Sequence, residues 1–147
     1  MRSQGLAAVV FAAALTATGP ARAAEESLAF AELYAKQSVL GLSLSAKTQG
    51  LAGRQVRILG YLAPPLKPDV RFFVLTRAPV ALCPFCNSDA DWPSDIVVVY
   101  PRDRGLPGSD GTPVAVAGTL EIGSQRDAET GFVSLVRVVD ASVFPVR

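Results

Sequence analysis

Cys83-Pro84-Phe85-Cys86 are the residues whose types and spacing could do chemistry, and they include the chain's only two cysteines. Two thiols at this spacing suit four roles. One thiolate can attack a disulfide while the other resolves the mixed intermediate. The pair can form a structural disulfide, which pins a loop with little entropic gain because the closed ring is tiny. It can supply half of a tetrahedral zinc site. Or both thiols can be buried and inert. The surroundings weigh against the first role. A redox C-x-x-C opens a helix whose N-terminus lowers the first thiol's pKa. Here the next residues are Asn87-Ser88-Asp89-Ala90-Asp91-Trp92-Pro93, an acidic stretch closed by proline and followed by a strand pattern. Neighbouring carboxylates raise a thiol's pKa rather than lower it.

A zinc site needs two more donors, and the chain has no histidine. Asp89 and Asp91 are the nearest oxygens, with Asp95 beyond them. Cys83, Cys86, Asp89 and Asp91 are therefore the candidate zinc ligands, and a Cys83–Cys86 disulfide is the alternative. The same aspartates are ordinary turn residues, which cap their own backbone. Trp92, the one tryptophan, either packs as a lid or stands out as a recognition aromatic. Arg77, Arg102 and Arg104 flank strand ends, where a guanidinium can take an anion. Trp92, Arg77 and Arg102 are the candidate binding residues. Without histidine there is no ordinary serine triad, and no G-x-S-x-G or phosphate-cradling loop is present. These absences favour a binding protein over an enzyme. The enzymatic alternative is a thiol–disulfide oxidoreductase using Cys83 and Cys86.

These residues sit in a chain that reads as an exported domain. Arg2, the apolar run Leu6–Leu15 and Ala21-Arg22-Ala23 follow the order of a cleavable signal peptide, residues 1–23. The apolar run is short of the roughly 20 residues that span a bilayer. No cysteine lies at the cleavage site to carry a lipid anchor. Cleavage removes two arginines and takes the net charge from +1 to −1. That balance disfavours nucleic acid as a partner. A periplasmic, non-spanning protein is expected.

Residues 24–53 read as a helical N-terminal segment. Leu28, Ala31 and Ala35 share a helical spacing, and so do Phe30, Leu33 and Tyr34. A second short helix is expected over 42–48. Residues 54–147 then read as five strands, at 55–62, 70–76, 95–100, 114–122 and 131–139, with a short tail strand over 141–146. The third, Asp95–Tyr100, is apolar enough to be buried on both faces. Gly60 and Gly118 inside strands suggest a bulge or tight bend. No long helical pattern separates the strands, so parallel crossovers are not expected. The reading is mostly β: a small five-stranded OB-like antiparallel barrel preceded by one or two short helices.

The strings Leu51-Ala52-Gly53-Arg54-Gln55-Val56-Arg57-Ile58-Leu59-Gly60-Tyr61-Leu62-Ala63-Pro64, Phe73-Val74-Leu75 and Trp92-Pro93-Ser94-Asp95-Ile96-Val97-Val98-Val99, together with the cysteine loop, carry a resemblance. The chain resembles a domain-of-unknown-function family of small exported proteobacterial proteins over roughly residues 50–140. Some members are encoded beside the ATPase and permease of a zinc-regulated ABC-type uptake system. Members often carry a lipoprotein signal, which this chain lacks. The resemblance implies an envelope accessory protein linked to metal acquisition, with the transporter's permease and ATPase as partners. It assigns no catalytic residues.

Overall fold

The computed structural model describes residues 24–35, 42–65, 70–80, 95–103, 105, 108 and 110–146. The expected signal peptide, 1–23, lies outside them. So do Cys83, Cys86, Asp89, Asp91, Trp92 and Arg104. Among the described residues no helix is long and apolar enough to cross a membrane.

The chain is mostly β. In order it forms β1 (Glu26–Ser27), α1 (Phe30–Leu33), α2 (Ala46–Gly50), β2 (Gln55–Leu62), β3 (Phe73–Thr76), β4 (Ile96–Pro101), β5 (Pro113–Arg126) and β6 (Val133–Pro145). The strands make one six-stranded sheet in the order β1-β2-β3-β4-β6-β5, and β5 also pairs with β2. Each of β2, β3, β4, β5 and β6 therefore has a strand on both sides.

Two pairings correct the all-antiparallel expectation. β1 runs parallel to β2, and β4 runs parallel to β6. The second needs no helical crossover. β5 lies between β4 and β6 in sequence and runs antiparallel to β6, so β6 returns in the direction of β4 after one hairpin.

The N-terminal segment is less helical than its spacing suggests. Only Phe30–Leu33 and Ala46–Gly50 coil. Each short helix is tied locally. The Glu32 carboxylate accepts from the Ala29 N–H at 2.9 Å and pairs with Lys47 at 2.7 Å. The Lys47 hydrogen bond holds the Glu32 carboxyl below the usual carboxylate range. The Ser45 hydroxyl oxygen caps α2 by accepting from the Thr48 N–H at 3.0 Å. Leu28, Phe30 and Leu33 are buried in the main core, and burial of these side chains holds four- and five-residue helices that would be marginal alone.

Alternation in β2 sends Val56, Ile58 and Leu62 inward to meet Phe73, Leu75, Val97, Val99, Val114, Val116, Leu120, Val136 and Val138. β3 and β4 are apolar on both faces, as expected for Asp95–Tyr100. Their outward residues Val74, Ile96 and Val98 join Ala63 and Phe72 in a second buried cluster, against which Tyr100 and Phe132 pack. Fully burying one such aliphatic side chain contributes about 1.5–3 kcal/mol.

Both in-strand glycines stand where another backbone comes close. A Cβ on Gly60 would lie 2.7 Å from the Thr76 carbonyl oxygen, and one on Gly118 would lie 2.7 Å from that of Val139. Gly118 also sits opposite a bulge. Ala117 pairs with Ser142 and Thr119 with Val139, so β6 carries one extra residue there. The β4–β6 register slips at the same place, between Val138 and Ala141. Asp140 falls in both gaps, with a left-handed φ of 49°. That bend lets β6 run on through Pro145 as one strand, where the sequence suggests a strand and a separate tail.

Candidate functional site

β4 places the candidate residues of the sequence at opposite ends. At its start the β3–β4 ladder continues one step past Thr76↔Ile96, with the Arg77 N–H donating to the Asp95 carbonyl at 3.1 Å. Residues 78–94, which contain the cysteines, thus connect two adjacent antiparallel strands. Arg77 and Asp95 are exposed at the neck of this connection. At the other end of β4 stands Arg102. The six residues of β4 separate the two arginines by about 20 Å at roughly 3.3 Å per residue, so Arg77 and Arg102 do not share a site.

Arg102 belongs to a cleft built on the Asp140 bulge. Its backbone N–H donates to the Ala141 carbonyl at 2.8 Å, which fixes the chain beside the bulge. Its guanidinium then grips the Asp140 carboxylate with two parallel hydrogen bonds, Nε to Oδ1 and Nη2 to Oδ2, both 2.8 Å. This fork is the strong planar geometry of guanidinium–carboxylate pairs. It holds the Asp140 carboxyl below the usual range and raises the arginine's pKa in turn. Asp140 is one of the few residue types that adopt positive φ at small cost.

The rest of the cleft comes from the outward faces of β2, β5 and β6. Gln55, Ala117, Ser142 and Phe144 line it together with Glu25, Arg102 and Asp140, enclosing about 240 Å³. The register explains this grouping. Arg57 pairs with Ala117, which pairs with Ser142; Leu59 pairs with Ala115, which pairs with Phe144. Ala117 leaves a shallow floor between larger neighbours. Phe144 is 42% exposed. The Arg57 guanidinium lies over its ring at 5.5 Å and also pairs with Glu25 at 3.6 Å. Gln55 Nε2 donates to Thr119 Oγ1 at 2.8 Å, which turns the amide to a fixed orientation.

Of the described residues singled out in the sequence, only Arg102 enters this cleft. Asp140, Phe144, Gln55, Ser142 and Glu25 were not anticipated. The signal for Asp140 was an acidic residue between two apolar pairs, Val138-Val139 and Val143-Phe144, which also fits a strand end. Among the described residues no group of three or more Cys, Asp and Glu side chains could hold a metal ion. The candidate zinc ligands and the alternative disulfide lie outside those residues.

No family model matches the sequence, and no curated protein matches it. Among solved structures, the chain is similar to a DUF3299 family protein from Pseudomonas aeruginosa PAO1. The TM-score is 0.53 at 16% identity, covering 84% of this chain and 97% of that one. The likeness establishes a fold shared with a proteobacterial protein of a family named only as a domain of unknown function.

Proposed function

We propose that this chain is a non-enzymatic binding module of the bacterial periplasm, an OB-like barrel that serves as accessory to a metal (zinc) ABC-type uptake system. The observation that carries the binding reading is the Arg102–Asp140 cleft. Its groups are paired, oriented and set beside an exposed aromatic ring, an arrangement that holds a ligand rather than transforms one. The barrel reading is supported by the ring of pairings, in which β5 returns to β2 and β4 lies parallel to β6. Small closed barrels of this kind present binding faces. Export rests on residues 1–23, with a periplasmic protein as the outcome. The link to zinc rests on the Cys83-x-x-Cys86 string and the family resemblance. Two thiolates with Asp89 and Asp91 make a four-donor set of the kind tetrahedral zinc takes.

The oxidoreductase alternative is disfavoured by the sequence around the cysteines and by the flanking strands. Redox C-x-x-C pairs follow a strand and open a helix of a βαβ unit, whereas here Pro93 closes an acidic stretch after the pair and the described strands on either side, β3 and β4, are antiparallel neighbours. The test is co-purification of the mature chain with the transporter's permease and ATPase, all three co-expressed. The proposal expects a complex that survives washing and weakens in the Cys83→Ser/Cys86→Ser double variant. A mature chain that never co-purifies, yet reduces insulin through a Cys83 thiol titrating well below the usual value of about 8.5, would overturn it.

A further inference from the structure

The cleft's own chemistry narrows what it can take, and this step rests on the binding-module reading above. Its charges are already matched inside the protein. Arg102 is forked to Asp140, and Arg57 pairs with Glu25. An incoming anion would have to pull an arginine from its carboxylate, and an incoming cation would have to do the reverse. Either exchange replaces one ion pair with another for little net gain. A neutral ligand faces no such cost, because it uses the atoms the pairs leave over.

Those atoms form a specific set. The fork occupies Nε and Nη2 of Arg102. Its Nη1 has no partner among the described residues and carries two N–H donors. Gln55 uses one Nε2 donor on Thr119 and keeps its carbonyl oxygen as an acceptor. The Ser142 hydroxyl both donates and accepts. These donors and acceptors are neutral or charge-compensated; the guanidinium and the amide are planar and held in direction by their bonds, and the hydroxyl can rotate to suit a partner. They surround a floor made by Ala117 and border the ring of Phe144, which Arg57 covers on one face and which is still 42% exposed. The volume of about 240 Å³ lies below the roughly 300–1,000 Å³ of sites for drug-sized ligands, so it suits a single ring.

We propose that the Gln55–Arg102–Ser142–Phe144 cleft binds a neutral saccharide unit. A pyranose offers vicinal hydroxyls, which donate and accept in pairs, and an apolar face of C–H groups to lay on an aromatic ring. It needs both features from its site and brings no charge to disturb the ion pairs. An N-acetylated sugar adds one amide that Gln55 and Ser142 can meet.

The experiment is a ¹H–¹⁵N NMR titration of the mature chain with the tetramer of N-acetylglucosamine, with glucosamine as cationic and glucuronate as anionic comparison. Saturable shifts centred on Gln55, Ser142 and Phe144 are expected with the tetramer, and neither charged monosaccharide should move them at equal concentration. Phe144→Ala and Gln55→Ala are each expected to weaken binding about tenfold, the scale of one stacking face or one or two neutral hydrogen bonds. Ser142→Ala, on a partly exposed strand position, gives a milder variant that retains the fold. No saturable shift with the tetramer, stronger shifts with a charged sugar, or shifts away from the cleft that Ser142→Ala leaves unchanged would each overturn the saccharide assignment. Co-purification with the transporter reads the module hypothesis separately, so a failure of one does not pass for a failure of the other.

Discussion

The β5–β6 ladder is broken twice, and an arginine stands at each break. At one, β6 has the extra residue: Asp140, at φ 49°, held by the exposed fork of Arg102. At the other, β5 has it. Ile122 pairs with Val136 and Gln125 with Ser134, and Gly123 supplies a φ of 101° in the gap. There Arg137 donates to the Gly123 carbonyl at 2.9 Å and to the Glu121 carboxylate at 2.8 Å. The side chain of Arg137 is only 7% exposed, against 58% for Arg102. The two bulges share a backbone device and differ in what surrounds it. Arg137 is sealed in by the sheet and can only hold structure. Arg102 keeps donors facing solvent beside an aromatic ring, so the same device there is open to a ligand.

This contrast can be broken by mutation. Arg137→Ala leaves the Gly123 carbonyl and Glu121 without their buried partner, and should lower the unfolding free energy by about 2–4 kcal/mol in urea titration. If it proves neutral, the second bulge is not held by this side chain. Gly118→Ala tests the backbone beneath the Asp140 bulge. The added Cβ would meet the Val139 carbonyl at 2.7 Å, and overpacking of this kind costs about 1–3 kcal/mol. The exposed bulge is then as demanding in its backbone as the buried one, and only its side chains are dispensable for folding.

A pH titration sharpens the same distinction near the Arg137 side. The Tyr100 hydroxyl donates to Asp127 at 3.1 Å. Burial first, and this hydrogen bond second, push the phenol up to about 12. At Asp127 burial works to raise the carboxyl, but hydrogen bonds from the Thr130 hydroxyl and N–H, from Tyr100 and from the Glu129 N–H outweigh it and hold it low. A raised phenol keeps its stabilising effect below its ordinary value of 10.0 and loses it as pH climbs toward about 12. The wild-type Tm should therefore fall across that window, and Tyr100→Phe should flatten the fall. The Asp127 contribution is lost in acid instead, as pH drops through its lowered value.

The smallest stability effect is expected at Asp140→Gly. Glycine accepts positive φ more readily than aspartate, and the exposed fork holds little of the fold together. Its Tm should match or exceed that of the wild type, while the cleft loses the carboxylate that orients Arg102. A large drop in Tm would place Asp140 with Arg137, as a structural residue.

The strand pattern was the legible part of the sequence. Gln55–Leu62 was bounded to the residue, because its period-2 alternation is uninterrupted and one face is buried. Val97 and Val99 against Val74, Ile96 and Val98 divide between two apolar clusters, as an unbroken apolar run implies. The N-terminal helices were overread, since apolar spacing over Leu28–Ala35 fits a four-residue helix flanked by extended chain as well as a longer one. Sheet direction was not legible either. It is fixed by which strands meet in space, and local pattern does not carry that. The cleft stayed hidden for the same reason. Gln55, Arg102, Ser142 and Phe144 come from two strands and a loop, and no short motif joins them.

The central claim, an accessory module of zinc uptake, is tested most directly by the metal content of the mature protein isolated natively from an envelope fraction. Elemental mass spectrometry should find about one zinc per chain, lost in the Cys83→Ser/Cys86→Ser variant without loss of fold. A metal-free protein in which Cys83 and Cys86 are joined as a disulfide would contradict it.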